Sequence, residues 1–195
     1  MEFNHALPEL GKPWTSTNIA YAPDATPGSY GGSILLEGCQ KTWHHFERQS
    51  SANAGGIRNR RSGRERFALF VRNVSGGVLL PGQLVTWASG FRGRRVGAKA
   101  AAASYDVAGI VDPYWAETGI PDGELFYVFQ KGPVWARFVV GAVTLNHGVV
   151  ASATAGSVQT KGSVYAAATD LGHILEAKTA SAADPYIEVD LKINW

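Results

Sequence analysis

Two passages of the 195-residue chain read as copies of one another, and a duplication restricts the fold more than composition does. Val78-Leu-Leu-Pro-Gly-Gln-Leu-Val-Thr-Trp87 is answered by Val143-Thr-Leu-Asn-His-Gly-Val-Val-Ala-Ser152. Asp106-Val-Ala-Gly-Ile-Val-Asp112 is answered by Asp170-Leu-Gly-His-Ile-Leu-Glu176. The offsets are 65 (Leu80 to Leu145) and 64 (Asp106 to Asp170), and the order is kept. Each unit reads as a strand, a Gly-containing turn, a strand, a variable loop and an apolar strand opened by Asp. The expected organisation is a β body over 65–195, in two similar halves of about 74–140 and 141–195, behind an extended arm over 1–64.

Composition agrees with an all-β chain. There are 23 Gly and 9 Pro, only 17% charged residues, and 45% apolar residues to build a core. Strand formers come in short runs between Gly, Pro, Asn and Asp, the pattern of a sandwich or small barrel. No apolar run approaches the ~18 residues of a membrane span. Met1-Glu-Phe-Asn-His carries no basic stretch ahead of an apolar one, so no secretory leader is expected. A single cysteine, Cys39, excludes an internal disulfide and suits assembly in a reducing cytoplasm.

Residues 1–33 are rich in Pro, Gly, Ser, Thr and Asn, with aromatics set singly at Phe3, Trp14, Tyr21 and Tyr30. Four prolines favour extended backbone without ladder donors, and the aromatics suit anchors on a partner rather than a free tail. Strands are expected near 34–38, 42–47, 65–74, 83–88, 108–112, 124–130, 134–140, 148–152 and 187–193. The last alternates apolar and charged residues, giving one wet face. Gln49–Gly63 reads as a flexible loop, and Ala98–Ser104 as loop or a poorly packed strand.

Charge is unevenly placed. Residues 1–105 hold 13 Lys and Arg against 6 Asp and Glu, residues 106–195 hold 5 against 10, and the whole chain carries +2. Arg58, Arg60, Arg61 and Arg64, with Arg66, Arg92, Arg94 and Arg95, are either a solvated loop or a docking surface for an acidic protein patch. Nucleic acid is disfavoured, because no aromatics interleave to stack bases and the acidic half repels a polyanion.

Catalytic readings are weak. Cys39, His44 and His45 lie within seven residues, whereas nucleophile and base usually converge from distant segments. Adjacent His residues on a strand point to opposite faces, so no metal is expected there. Asp112, Glu117, Asp122 and Glu124 flank aromatics as in glycosidases, but Pro121-Asp-Gly123 forms turns in its own right. Tyr114 and Trp115, expected on an exposed loop, would suit a ligand or a partner subunit.

Phe70-Val-Arg-Asn-Val-Ser-Gly-Gly-Val-Leu-Leu-Pro-Gly-Gln-Leu-Val85, with Gly148-Val-Val-Ala151 and Gly172-His-Ile-Leu-Glu176, resembles the head decoration, or capsid cement, proteins of tailed bacteriophages. The likeness covers about 65–195 and does not extend to the long first third. It implies a small β-barrel or β-tulip body on the outer surface of the virion head. Its partner would be the major capsid protein, with self-association often as trimers and without catalysis, cofactor or membrane. Such a protein would be made in the host cytoplasm. Partner-binding residues would then be Phe3, Trp14, Tyr21, Tyr30, Arg58, Arg60, Arg61, Arg64, Tyr114 and Trp115. The competing expectation is a carbohydrate-binding or host-attachment module on the virion surface, with Tyr114 and Trp115 as its stacking platform.

Overall fold

The computed structural model of the chain describes residues 37–50, 57–101, 104, 106–162 and 170–193; for 43–50 and 57–64 it describes the backbone alone. Phe3, Trp14, Tyr21 and Tyr30 lie outside the described residues. The described residues form strands and turns without a helix, so the fold is all-β. The strands are β1 (Cys39–Ser50), β2 (Ile57–Asn73), β3 (Leu84–Trp87), β4 (Arg95–Lys99), β5 (Val107–Val111) and β6 (Leu125–Arg137). They continue with β7 (Gly141–Ala142), β8 (Gly148–Ala151), β9 (Val158–Thr160), β10 (Gly172–Ile174), β11 (Thr179–Ala180) and β12 (Tyr186–Lys192).

Ten of these form one mixed sheet, ordered β1-β2-β4-β3-β5-β6-β12-β10-β8-β9, while β7 and β11 pair separately. β2 also pairs with β6, so β2, β4, β3, β5 and β6 make a closed circuit. From β6 the sheet runs on through β12, β10 and β8 to β9, where Val158 bridges Phe138 just past β6, so the molecule is a large mixed sheet rather than a clean barrel.

The duplication is visible in the pairing. In the first half β3 lies between β4 and β5, and β5 leads to β6; in the second β8 lies between β9 and β10, and β10 leads to β12. The halves meet where β6 and β12 pair antiparallel. The matching turns place Gly82 (φ 70) against Asn146 (φ 63), 64 residues on. Gly82 N donates to Val111 O as Asn146 N donates to Ile174 O; Val111 N donates to Gln83 O as Ile174 N donates to His147 O. Gly109 (φ 148) and Gly172 (φ 145) correspond at a spacing of 63. At both, the backbone passes so close to its neighbour that a Cβ would lie 2.2 Å from Phe129 O or 2.0 Å from Asp190 O. Only glycine fits such an approach.

Burial follows from alternation. β12 reads half-buried, buried, half-buried along Tyr186–Lys192, the single wet face expected of it. One core cluster gathers Leu69, Val71, Val85, Trp87, Val96, Ala108, Val111, Phe126 and Val128, side chains from all five strands of the circuit. A larger cluster crosses between the halves, from Phe70, Ile110 and Phe129 to Val149, Ile174, Val189 and Leu191. Phe70 and Tyr127 face each other across β2 and β6 with ring centroids 5.0 Å apart, a pairing worth about 1 kcal/mol beyond its area.

Three local expectations change. Segments 124–130 and 134–140 are largely one strand, β6, bent at Gly132. Gln49–Gly63 is not a loop throughout, since Ser50 ends β1 and Ile57–Gly63 belong to β2. Among the described residues, 57–66 of β2 pair with β1 alone, a two-stranded ribbon in which Glu47 faces Arg60 and Phe46 faces Arg61. A strand boundary expected near residue 64 therefore falls inside β2. Strand β4 begins at Arg95, ahead of the 98–104 segment expected as loop or a poorly packed strand, and Ala100 just past it is fully buried.

Gly109→Ala and Gly172→Ala are each expected to destabilise the fold by about 3 kcal/mol or more, because each Cβ meets backbone that cannot retreat. Gly76→Ala (φ 74, open space) should cost only about 1 kcal/mol. Urea unfolding midpoints compare the three directly.

Candidate functional site

Asp112 closes β5 and is almost fully buried; its Oδ1 accepts the Tyr114 N–H at 2.9 Å. That short Asx turn starts the loop 112–119 and aims Tyr114 outward. Trp115 turns the other way. It is 8% exposed, joins the core of the five-strand circuit, and its indole Nε1 donates to Gly119 O at 3.1 Å. The expectation of an exposed Tyr114-Trp115 pair is therefore half wrong: Trp115 anchors the loop and only Tyr114 reaches the surface.

Tyr114 instead meets Trp135. Their ring centroids lie 6.0 Å apart at 41°, and both are open to solvent, at 40% and 46%. Trp135 is on β6 between buried Val134 and Ala136, hence on the wet face that β6 and β12 share. Arg66 of β2 completes the patch, donating to the Tyr114 hydroxyl with its guanidinium 5.5 Å from the ring centroid. Arg66 fixes the tilt of Tyr114 by a polar bond and a cation–π contact together.

Charged groups border the rings. Glu188 of β12 stands across from Trp135, and Arg137 follows two residues along the same face of β6. The Tyr186 hydroxyl donates to Glu117, whose carboxylate lies 4.0 Å from Arg137, while Arg137 covers the Tyr186 ring at 5.7 Å. The Glu188 N–H donates to Glu176 at 2.9 Å. Burial, then the hydrogen bond to Glu117 and its negative charge, push the Tyr186 hydroxyl well above the usual tyrosine range.

The acidic residues of the same region do not converge on one point. Asp112 holds the Tyr114 turn, Asp122 accepts from Gly76 N at 2.9 Å, and Glu117 belongs to Tyr186. Asp112 and Asp122 each fasten a turn, whereas Glu117 bonds a distant strand. Cys39 pairs in register with Phe70, and burial raises its thiol pKa, which keeps it protonated at neutral pH. Of the basic residues, Arg58, Arg60, Arg61 and Arg64 are all placed on the ribbon strand of β2.

The motif Phe70–Val85 is occupied with structure. Asn73, fully buried, sets its Nδ2 2.8–3.0 Å from the carbonyls of Gly77, Ile120 and Pro121, and its Oδ1 accepts from Ser75. Arg72 Nε bonds Glu37 at 2.6 Å, and Arg95 Nε bonds the other carboxylate oxygen at 2.8 Å. Residue 37 is thereby locked to β2 and β4. Trp135 and Glu188 were missed by sequence reasoning, although in Val134-Trp-Ala-Arg137 the Trp keeps phase with Arg rather than with Val, which marks a wet face.

The Tyr186 shift has a definite sign. The folded state holds the phenolic proton more tightly than the unfolded chain, so the stabilisation is complete below about pH 10 and is lost as pH rises through the folded value. Tyr127, raised by burial and then by the charge of Asp112, acts the same way. Thermal melts between pH 9 and 12 should show falling stability, and a Tyr186→Phe, Tyr127→Phe double variant should fall less steeply.

No family model matches the chain, and no curated protein matches it. Among solved structures it is similar to the N base of the head fiber gp8.5 of bacteriophage phi29, at 11% identity and a TM-score of 0.41, over 66% of this chain and 98% of that one.

Proposed function

We propose that the chain is a structural protein of a tailed-bacteriophage particle, bound to the outer surface of the head and cementing neighbouring subunits of the major capsid protein. The observation that carries this reading is the segment Phe70–Val85. The residues that give the chain its likeness to head decoration proteins form the end of β2, the stitched turn and β3, and within them Asn73 and Arg72 fasten the surrounding body. The proposed role needs no catalysis, cofactor or metal, and trimeric self-association belongs to the same proposal.

The geometry supports such a role physically. Two fused units give a rigid body, the ribbon of β1 and β2 lies outside the duplication, and residues 1–36 are proposed as an arm for the partner. A stable contact buries about 1,600 Å² in total, and an extended segment supplies area with few residues. Body and segment on different subunits make the second contact intramolecular, which raises avidity without a better single site. The arginines of the ribbon suit an acidic patch on the shell.

Co-sedimentation with head shells assembled without this chain tests the reading. The purified chain should pellet with shells at low salt and release as salt rises. Arg58→Glu, Arg60→Glu and Arg61→Glu together should weaken binding at least tenfold, as should joint alanine substitution of Phe3, Trp14, Tyr21 and Tyr30. A chain that leaves the shells unbound at every salt concentration would refute the proposal.

A further inference from the structure

We propose that the patch formed by Tyr114 and Trp135 is a binding platform for a neutral, β-linked pyranose oligosaccharide. This goes beyond attachment to a head shell and stands without it.

Trp135 is the first reason. A tryptophan 46% exposed in the middle of a strand whose neighbours are buried spends apolar area on water, and a ring partner beside it makes a continuous aromatic surface. The second reason is order. Tyr114 is held by its N–H bond to Asp112, by the Arg66 bond to its hydroxyl, and by Trp115 anchoring the loop beneath it. Rings fixed before binding lose little freedom on binding.

The border selects the ligand. Arg66 and Arg137 offer only donors, Glu117 and Glu188 only acceptors; Arg66 bonds Tyr114, Glu188 stands across from Trp135, and Arg137, 4.0 Å from Glu117, lies two residues along the same face of β6. Sugar hydroxyls both donate and accept, so a polyol can bond donors and acceptors alike along this border. A protein interface would instead have to desolvate them, at a cost their mutual attraction does not fully return. Two guanidinium groups are matched by two carboxylates, with Glu176 adding a third near Glu188, so the site has no excess positive charge to favour an acidic sugar. β-Linked pyranoses with equatorial hydroxyls present flat C–H faces. Two rings 6.0 Å apart and tilted by 41° suit one such face and the twisted face of the next residue.

The test titrates the full chain with cellotetraose and chitotetraose, followed by saturation-transfer NMR and by tryptophan emission. One of the two should show transfer to its ring protons, and sialyllactose should bind no more tightly than it does. Trp135→Ala should weaken binding at least tenfold, and Tyr114→Phe, which frees Arg66, by about threefold. Trp135→Phe should keep most of the binding and, with Tyr114→Ala, decides the matter if Trp135→Ala does not fold. The proposal is overturned if neither sugar binds at millimolar concentration, if sialyllactose binds better, or if removing the Trp135 ring leaves affinity unchanged. It is overturned equally if Trp135→Ala dissociates an oligomer that sugar does not disturb, since the patch would then belong to a second copy.

Discussion

Strand β6 answers to three neighbours, and the bend at Gly132 lets it do so. Leu125–Lys131 pairs with β2, Ile110 and Val111 of β5 lie against its middle, and Lys131–Arg137 pairs with β12. The register with β2 ends at Lys131, where that with β12 begins. Gly132 has φ +86, and a Cβ there would lie 2.0 Å from Glu65 O, so the backbones of β2 and β6 touch at the point of exchange. A side chain at 132 would force apart the closed circuit on one side or the joined halves on the other. Both the enclosed core and the wet face carrying Trp135 depend on that one contact.

The two halves are alike in wiring and in turning back on their first strand. Each unit leaves an apolar face that it cannot cover alone, and pairing β6 with β12 merges the faces into the cluster running from Phe70 to Leu191. In the first half β2 returns to cover the remaining edge, against β4 and β6. In the second half the chain just past β6 does the same against β9, with Phe138 bridging Val158 in parallel and Val139 N donating to Val158 O at 3.0 Å. Arg66 and Tyr114 belong to the first circuit, and Trp135 to the strand β6 that both halves share.

Much of the body was legible because period-2 burial and turn glycines leave local marks. Gly82, Asn146, Gly109 and Gly172 sit where a turn or a close approach is needed, and they set the repeat at 64 and 63 residues, one fewer than the offsets of 65 and 64 read from the sequence. β4 was hidden because Val96 is its one buried apolar side chain. Arg95 is buried through the Glu37 carboxylate 58 residues earlier, and no local pattern announces a pairing at that distance. Trp115 and Tyr114 looked equivalent as neighbours in a loop. What separates them is the Gly119 carbonyl that takes the indole N–H and the Asp112 turn that lifts the tyrosine out. The ribbon was masked by its composition, since arginine-rich sequence reads as solvated chain until a partner strand supplies the ladder.

Glu37 has a mechanical consequence. Tension on the backbone at Glu37 is taken up by this carboxylate, which divides it between Arg72 on β2 and Arg95 on β4. The load thus enters the sheet on two parallel strands whose registers meet at Arg72 and Arg95 themselves, before it can peel β1 away from its edge. A molecule built this way behaves under tension as a tether with a strain relief at its root. The ladder behind the clamp is spared until two charge-assisted bonds have failed together.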